Sequence, residues 1–101
     1  MADIKAIFKY AKNCKRKIFP GIRPAVKIKS DYLTTCLLTF TETAELCESF
    51  VVLGTFITPE FYPNSLWVGR IIEAYEGSRL LGYLTVTEIL NPILKYNEVT
   101  K

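Results

Sequence analysis

The chain contains no histidine. Its absence removes the side chain whose ordinary pKa lies nearest neutrality and which most often acts as a general base. A Ser-His-Asp or Cys-His nucleophile is excluded with it. Cysteine is scarce too. Cys14, Cys36 and Cys47 are an odd number, and no two of them form a C-x-x-C pair. With neither such a pair nor a histidine, the chain has no zinc-site spacing. The three read as ordinary reduced thiols. Cys36 lies in an apolar run, where a free cysteine behaves as a small hydrophobe, and Cys14 lies among lysines, which favour its thiolate.

Phosphate-binding loops are missing as well. Neither G-x-x-x-x-G-K-[ST] nor G-x-G-x-x-G occurs, and the nearest glycine pair, Gly77 and Gly82, lies in a hairpin pattern with no helix after it. Long apolar runs are absent: the longest, Phe50 to Ile57, is broken by Gly54 and Thr55 and falls far short of the ~18 residues that span a bilayer. The N-terminus has no apolar stretch of the kind a secretory signal needs, so a cytoplasmic protein with no membrane association is expected. Acidic pairs do occur, at Glu42/Glu45, Glu45/Glu48 and Glu73/Glu76. They fall in loop-like or outward positions and read as solvated faces rather than an acid-base pair. These absences argue against an enzyme, a cofactor or a metal.

What is present suits a packed core. Half of the 101 residues are hydrophobic and 13% are aromatic, too many for a disordered chain. That length is one domain, expected as a barrel over about 3–91 with a tail over 92–101. Charge is unevenly spread. Residues 1–29 hold nine basic side chains against Asp3 alone, while the remainder holds four basic side chains against nine acidic ones. An anionic partner for the basic part would explain this. So would lysines placed on strand edges to prevent edge-to-edge pairing.

The dominant hydrophobic period is two. In 3–10, Ile4, Ala6, Phe8 and Tyr10 share one face, with Asp3, Lys5 and Lys9 on the other, which reads as a half-buried strand. Residues 11–17 form a polar, basic loop, and Ile18-Phe19-Pro20-Gly21 is a turn signal. Further strands are expected over 24–30, 33–40, 49–58, 66–75 and 79–90. Gly54 suggests a bulge or sharp bend within its strand, and 41–48 is a loop or a single helical turn. Pro59 and Pro63 make 59–65 a loop that carries Phe61 and Tyr62. Glu76-Gly77-Ser78 is a tight hairpin turn. Both faces of the last strand are apolar, so pattern alone does not say which points inward. Six strands without a firm helix leave a sandwich or a barrel, and closure into a barrel removes exposed edges.

Three segments resemble a known family. Ile18-Phe19-Pro20-Gly21-Ile22-Arg23-Pro24-Ala25-Val26 is similar to the F-x-G-Y-R-P-x-F segment of the third, C-terminal domain of elongation factor Tu. Tyr75 to Leu90, with Glu76-Gly77-Ser78-Arg79 and Gly82, resembles that domain's last hairpin, and Phe56-Ile57-Thr58-Pro59-Glu60-Phe61 resembles the L-x-P-E-F turn of stand-alone bacterial proteins built from this domain. Ile22 stands where the family usually has Tyr, and Tyr75 where the hairpin often has Arg. The resemblance implies an all-β, six-stranded antiparallel closed barrel. It does not imply nucleotide hydrolysis, because the GTPase of that factor lies in another domain.

The expected function is that of a non-catalytic binding module. The first form is a protein-binding protein, such as an immunity or inhibitor protein that neutralises a toxin, with Phe61, Tyr62 and Trp67 as anchors. The alternative is an RNA- or translation-associated binder, which would use Lys12, Lys15, Arg16, Lys17 and Arg23 on phosphates, flanked by Tyr10 and Phe19. A third reading is a self-associating unit in which the acidic face of one copy meets the basic face of another.

Overall fold

A computed structural model describes residues 2–12, 18–29, 32–40 and 49–96. Among the described residues six strands form: β1 (Ile4–Tyr10), β2 (Ala25–Lys29), β3 (Tyr32–Thr39), β4 (Ser49–Phe56), β5 (Ile71–Glu76) and β6 (Arg79–Ile89). They close into an antiparallel barrel in the order β1-β4-β3-β2-β5-β6. Alternation is clearest in β1, where Ile4, Ala6 and Phe8 are fully buried and Lys5, Ile7 and Lys9 face out. β4 repeats it with Phe50, Val52 and Phe56 inside. Phe8 alone contributes about 2–3 kcal/mol through burial. It also heads an aromatic cluster, edge-on to Tyr10 at 5.1 Å and tilted against Phe50 at 5.6 Å. Phe40 joins this cluster, 4.9 Å from Phe50.

Ladder lengths differ around the barrel. β1 pairs with β6 from Ile4 to Tyr10, and β5 pairs with β6 along its whole length. β2 and β5 meet only at Ala25↔Tyr75 and Val26↔Ala74, so the barrel closes there by a short seam. Arg70 spans that seam: its guanidinium donates to the carbonyls of Ser65 and of Ile28 in β2.

Several sequence expectations are corrected. Asp3 does not lie with the outward lysines but is buried just before β1. Its Oδ2 accepts the Phe56 N–H at 2.8 Å and its Oδ1 accepts from Asn91 Nδ2 at 2.9 Å. Its own N–H donates to Gly54 and its carbonyl accepts from Leu90 and Asn91. One aspartate thus ties together the ends of β1, β4 and β6. Gly54 marks no bulge: it stays in register with both Ile4 and Leu38. What it supplies is room, because a Cβ there would stand 3.0 Å from Cys36 Sγ and 3.1 Å from Ile4 Cγ1. The register shifts lie instead at Lys5/Ala6, Lys27/Lys29 and Ala74/Tyr75. The last of these settles the faces of β6. Leu81 is the extra residue between the partners of Tyr75 and Ala74, so the phase changes there and Leu81, Gly82, Leu84 and Val86 are all buried. The fifth strand begins at Ile71, not at 66, because Leu66 bridges to Lys95 and the chain turns through Gly69 at φ 97°. The expected helical turn at 41–48 lies outside the described residues. No helix among the described residues is long and apolar enough to cross a membrane.

Candidate protein-contact surface

The connection between β4 and β5 builds an exposed aromatic surface at one end of the barrel. Pro59 opens a 3₁₀ turn, Pro59–Phe61, because its fixed φ suits the first position of a helix. The turn closes with Phe61 and Tyr62 N–H groups donating to Thr58 and Pro59 carbonyls. Asn64 takes the left-handed conformation at φ 57°, and Ser65 Oγ donates to the Tyr62 carbonyl at 2.6 Å. The segment then pairs with the chain after β6. Asn64 donates to Ile93 and Leu66 to Leu94, while Tyr96 donates back to Leu66. The second 3₁₀ turn, Pro92–Leu94, is capped by Asn91, whose Oδ1 accepts from the Ile93 N–H at 3.2 Å. Leu66 and Leu94 are buried beneath this pairing.

Large apolar side chains stand above that anchored layer. Phe61 is 66% exposed, Trp67 49% and Tyr96 48%, with Ile57, Val68 and Ile93 also exposed. Trp67 lies edge-on to Tyr96 at 5.9 Å. Arg70 places its guanidinium 5.2 Å from the Trp67 ring centre, within cation–π range. Partial burial lowers the Arg70 pKa from its usual value, yet an arginine stays charged at neutral pH. Of the three sequence-predicted anchors, Phe61 and Trp67 project into solvent. Tyr62 instead packs partly buried against the core. Sequence reading missed Tyr96, Val68, Ile93 and Arg70. The signal for Ile93 and Tyr96 was the Asn91-Pro92 cap, which predicts a turn and hence a returning chain, whereas Val68 fell within the run read as a strand from 66. Arg70 carried no such signal, because the contact that matters most is to the Ile28 carbonyl of β2, 42 residues away in sequence.

The described residues of the predicted basic patch are at the opposite end, beyond β1 and before β2. Lys12 and Arg23 are both exposed there. Lys15, Arg16 and Lys17 lie outside the described residues. Of the two expected stacking residues, Phe19 is half exposed, but Tyr10 is taken up by the aromatic cluster and its hydroxyl accepts the Ile18 N–H at 3.1 Å. Near Arg23, beside the Ala25↔Tyr75 pair that joins β2 to β5, a cleft of about 210 Å³ is lined by Ile22, Pro24, Tyr75, Glu76 and Leu81. That is below the size of sites that engulf drug-sized ligands.

Among the described residues, Cys36 and Glu73 are structurally committed. Burial, reinforced by the charge of Asp3, pushes the Cys36 thiol up to about 12, so it carries almost no thiolate at neutral pH. Cys14 and Cys47 lie outside the described residues. In the Glu73/Glu76 pair, Glu73 Oε1 accepts from the Tyr75 hydroxyl at 2.7 Å, which raises the Tyr75 pKa. Glu42, Glu45 and Glu48 lie outside the described residues. No group of histidine, cysteine or acidic side chains among the described residues is arranged to hold a metal. No known protein family, no curated protein and no solved structure matches the chain.

Proposed function

We propose that this protein is a non-catalytic protein-binding module that docks a partner through the Phe61–Trp67–Tyr96 end of its barrel. The observation that carries this reading is an exposed aromatic and aliphatic cluster on a layer fixed by backbone hydrogen bonds. Such a surface loses little conformational entropy on binding, and Trp and Tyr are the residues that most often dominate interface energies. A toxin-masking immunity or inhibitor protein in the cytoplasm is the concrete form of this activity. A module with that task needs a rigid complementary face and no chemistry of its own. The likeness to the third domain of elongation factor Tu belongs to the same reading, since a closed six-stranded antiparallel barrel is the fold it implies.

Affinity capture from the source cell tests the reading, with the wild-type chain compared against a Phe61→Ala, Trp67→Ala double variant. A stoichiometric partner retained by the first and lost by the second is the expected result. Identical proteins on both columns, or none on the wild type, would refute docking at this end. If the captured partner is toxic when expressed alone and harmless with the wild-type chain, the immunity form stands.

The RNA-binding alternative rests on Lys12 and Arg23, exposed at the other end. It predicts a mobility shift of tRNA or ribosomal RNA at low salt that weakens linearly with the logarithm of salt concentration. Tyr10, used in the core, is no longer available to stack on a base, which makes this the lesser reading.

A further inference from the structure

The outer face of β5-β6-β1 has a pattern of its own, and it lies away from both ends discussed above. Cross-strand register sets side chains in rows. Ile7 stands opposite Thr85, and Thr85 opposite Ile71. On the far side of Ile7, the row continues to Val51 of β4. Three of these four are apolar and exposed: Ile71 by 62%, Val51 by 52% and Ile7 by 38%. The next row outward along the same strands reads Lys9, Tyr83, Glu73. A basic and an acidic residue therefore flank β6 at the same level, on the strands to either side of it.

We propose that this face pairs with the same face of a second copy, about a twofold axis running parallel to β6. That operation exchanges β1 of one copy with β5 of the other. Ile7 then meets Ile71, Lys9 meets Glu73, and Thr85 and Tyr83 each meet themselves. An isologous contact requires such self-complementarity, and each heterotypic pair occurs twice in it. β1 and β5 sit about 10 Å apart across β6, given the usual strand spacing. The contact is centred on β6, and the long Lys9 and Glu73 side chains reach across the space that the curve of the barrel leaves at its flanks. The Tyr75 hydroxyl bonds to Glu73 Oε1 and leaves Oε2 for the lysine of the second copy. Charge complementarity selects a second copy over an unrelated partner here: the same three strands present the lysine, the glutamate and both isoleucines in mirror order about β6. The contact is confined to three strands, so the dimer is weak, with a dissociation constant of about 10–100 µM.

Sedimentation equilibrium over a concentration series tests this. The wild type is expected to pass from monomer to dimer across that range. Ile7→Glu and Ile71→Glu, both at exposed positions, should each leave only monomer. Lys9→Glu and Glu73→Lys should each raise the dissociation constant about tenfold or more, because each reverses two contacts per dimer. The Lys9→Glu, Glu73→Lys double variant should return to the wild-type constant, since the swapped charges again face one another. A wild type that stays monomeric to millimolar concentration overturns the proposal, as does a dimer indifferent to Ile7→Glu. Failure of the charge swap to restore association overturns the stated register. None of these residues belongs to the Phe61–Trp67 surface, so the result is independent of the proposed function.

Discussion

A Cβ on Gly82 would stand 2.3 Å from the Lys9 carbonyl oxygen and 2.7 Å from Phe8 Cζ. Backbone cannot yield as a flexible side chain can, so Gly82→Ala is expected to cost about 3 kcal/mol or more in chemical denaturation. Gly54→Ala meets only the side chains of Cys36 and Ile4, at 3.0 and 3.1 Å, and should cost about 1–2 kcal/mol. Both glycines are plain in the sequence, but their neighbours come from strands far along the chain, and so Gly54 reads wrongly as a bulge. Asp3 misleads in the same way. Its alternation with Lys5 places it outward, whereas its carboxylate is the acceptor for Phe56 and Asn91. Asp3→Ala should lower stability by about 2–4 kcal/mol, because it strips a buried N–H of its partner. Cys36 predicts a pH dependence. Its folded pKa, about 12, lies above the ordinary value of 9.0. The unfolded chain therefore loses its thiol proton first, and stability is fully present below pH 9 and falls as pH rises from there towards 12. The Cys36→Ala variant should lack that part of the decline, a difference of about 1 kcal/mol between pH 8 and pH 10 in urea titrations.

At the level of elements, the loop between β4 and β5 depends on Arg70. Its guanidinium joins the Ser65 carbonyl in the loop to the Ile28 carbonyl in β2 and lies by the Trp67 ring. Arg70→Ala should destabilise the fold by about 2–3 kcal/mol, read as a shift in the urea midpoint. It should also alter the Trp67 fluorescence. Arg70→Lys should recover only part of the loss, since a single ammonium cannot reproduce the planar fork. Strands β1 to β4 were legible because their alternation is uninterrupted or nearly so. The start of β5 was not. Leu66 and Trp67 look like the opening of a strand, but Leu66 is held by the chain after β6 and Gly69 turns the backbone before Ile71. β6 was legible as a strand but not as a face, because the register shift at Leu81 buries neighbouring residues on both phases of the pattern.

For the molecule as a whole, the weak point is the β2–β5 seam. Two paired positions close the barrel there, against seven between β1 and β6. Local opening follows the least-supported ladder. Hydrogen exchange should therefore show the amides of β2 and of Tyr75 exchanging at least about tenfold faster than those of Ala6 and Leu84. Uniform protection around the barrel would contradict this. The two candidate contact surfaces also belong to this scale. The sequence placed Phe61 and Trp67 in or beside a proline-bounded loop, and Lys12 and Arg23 in the basic third, without relating one pair to the other. Antiparallel closure puts them at opposite ends, since the loop after β1 and the loop after β4 leave the barrel in opposite directions. The sequence by itself determined the strand content, the number of strands, the inward set of β1 and the loop that carries the aromatics. These follow from side-chain alternation and from the fixed φ of proline, which are local properties of the backbone. Tertiary structure alone decided that Asp3 is buried, which side of β6 faces the core, that Arg70 clamps the seam and that Tyr96 joins Trp67. Each of these depends on which distant strand lies alongside, and closure of the barrel makes that choice.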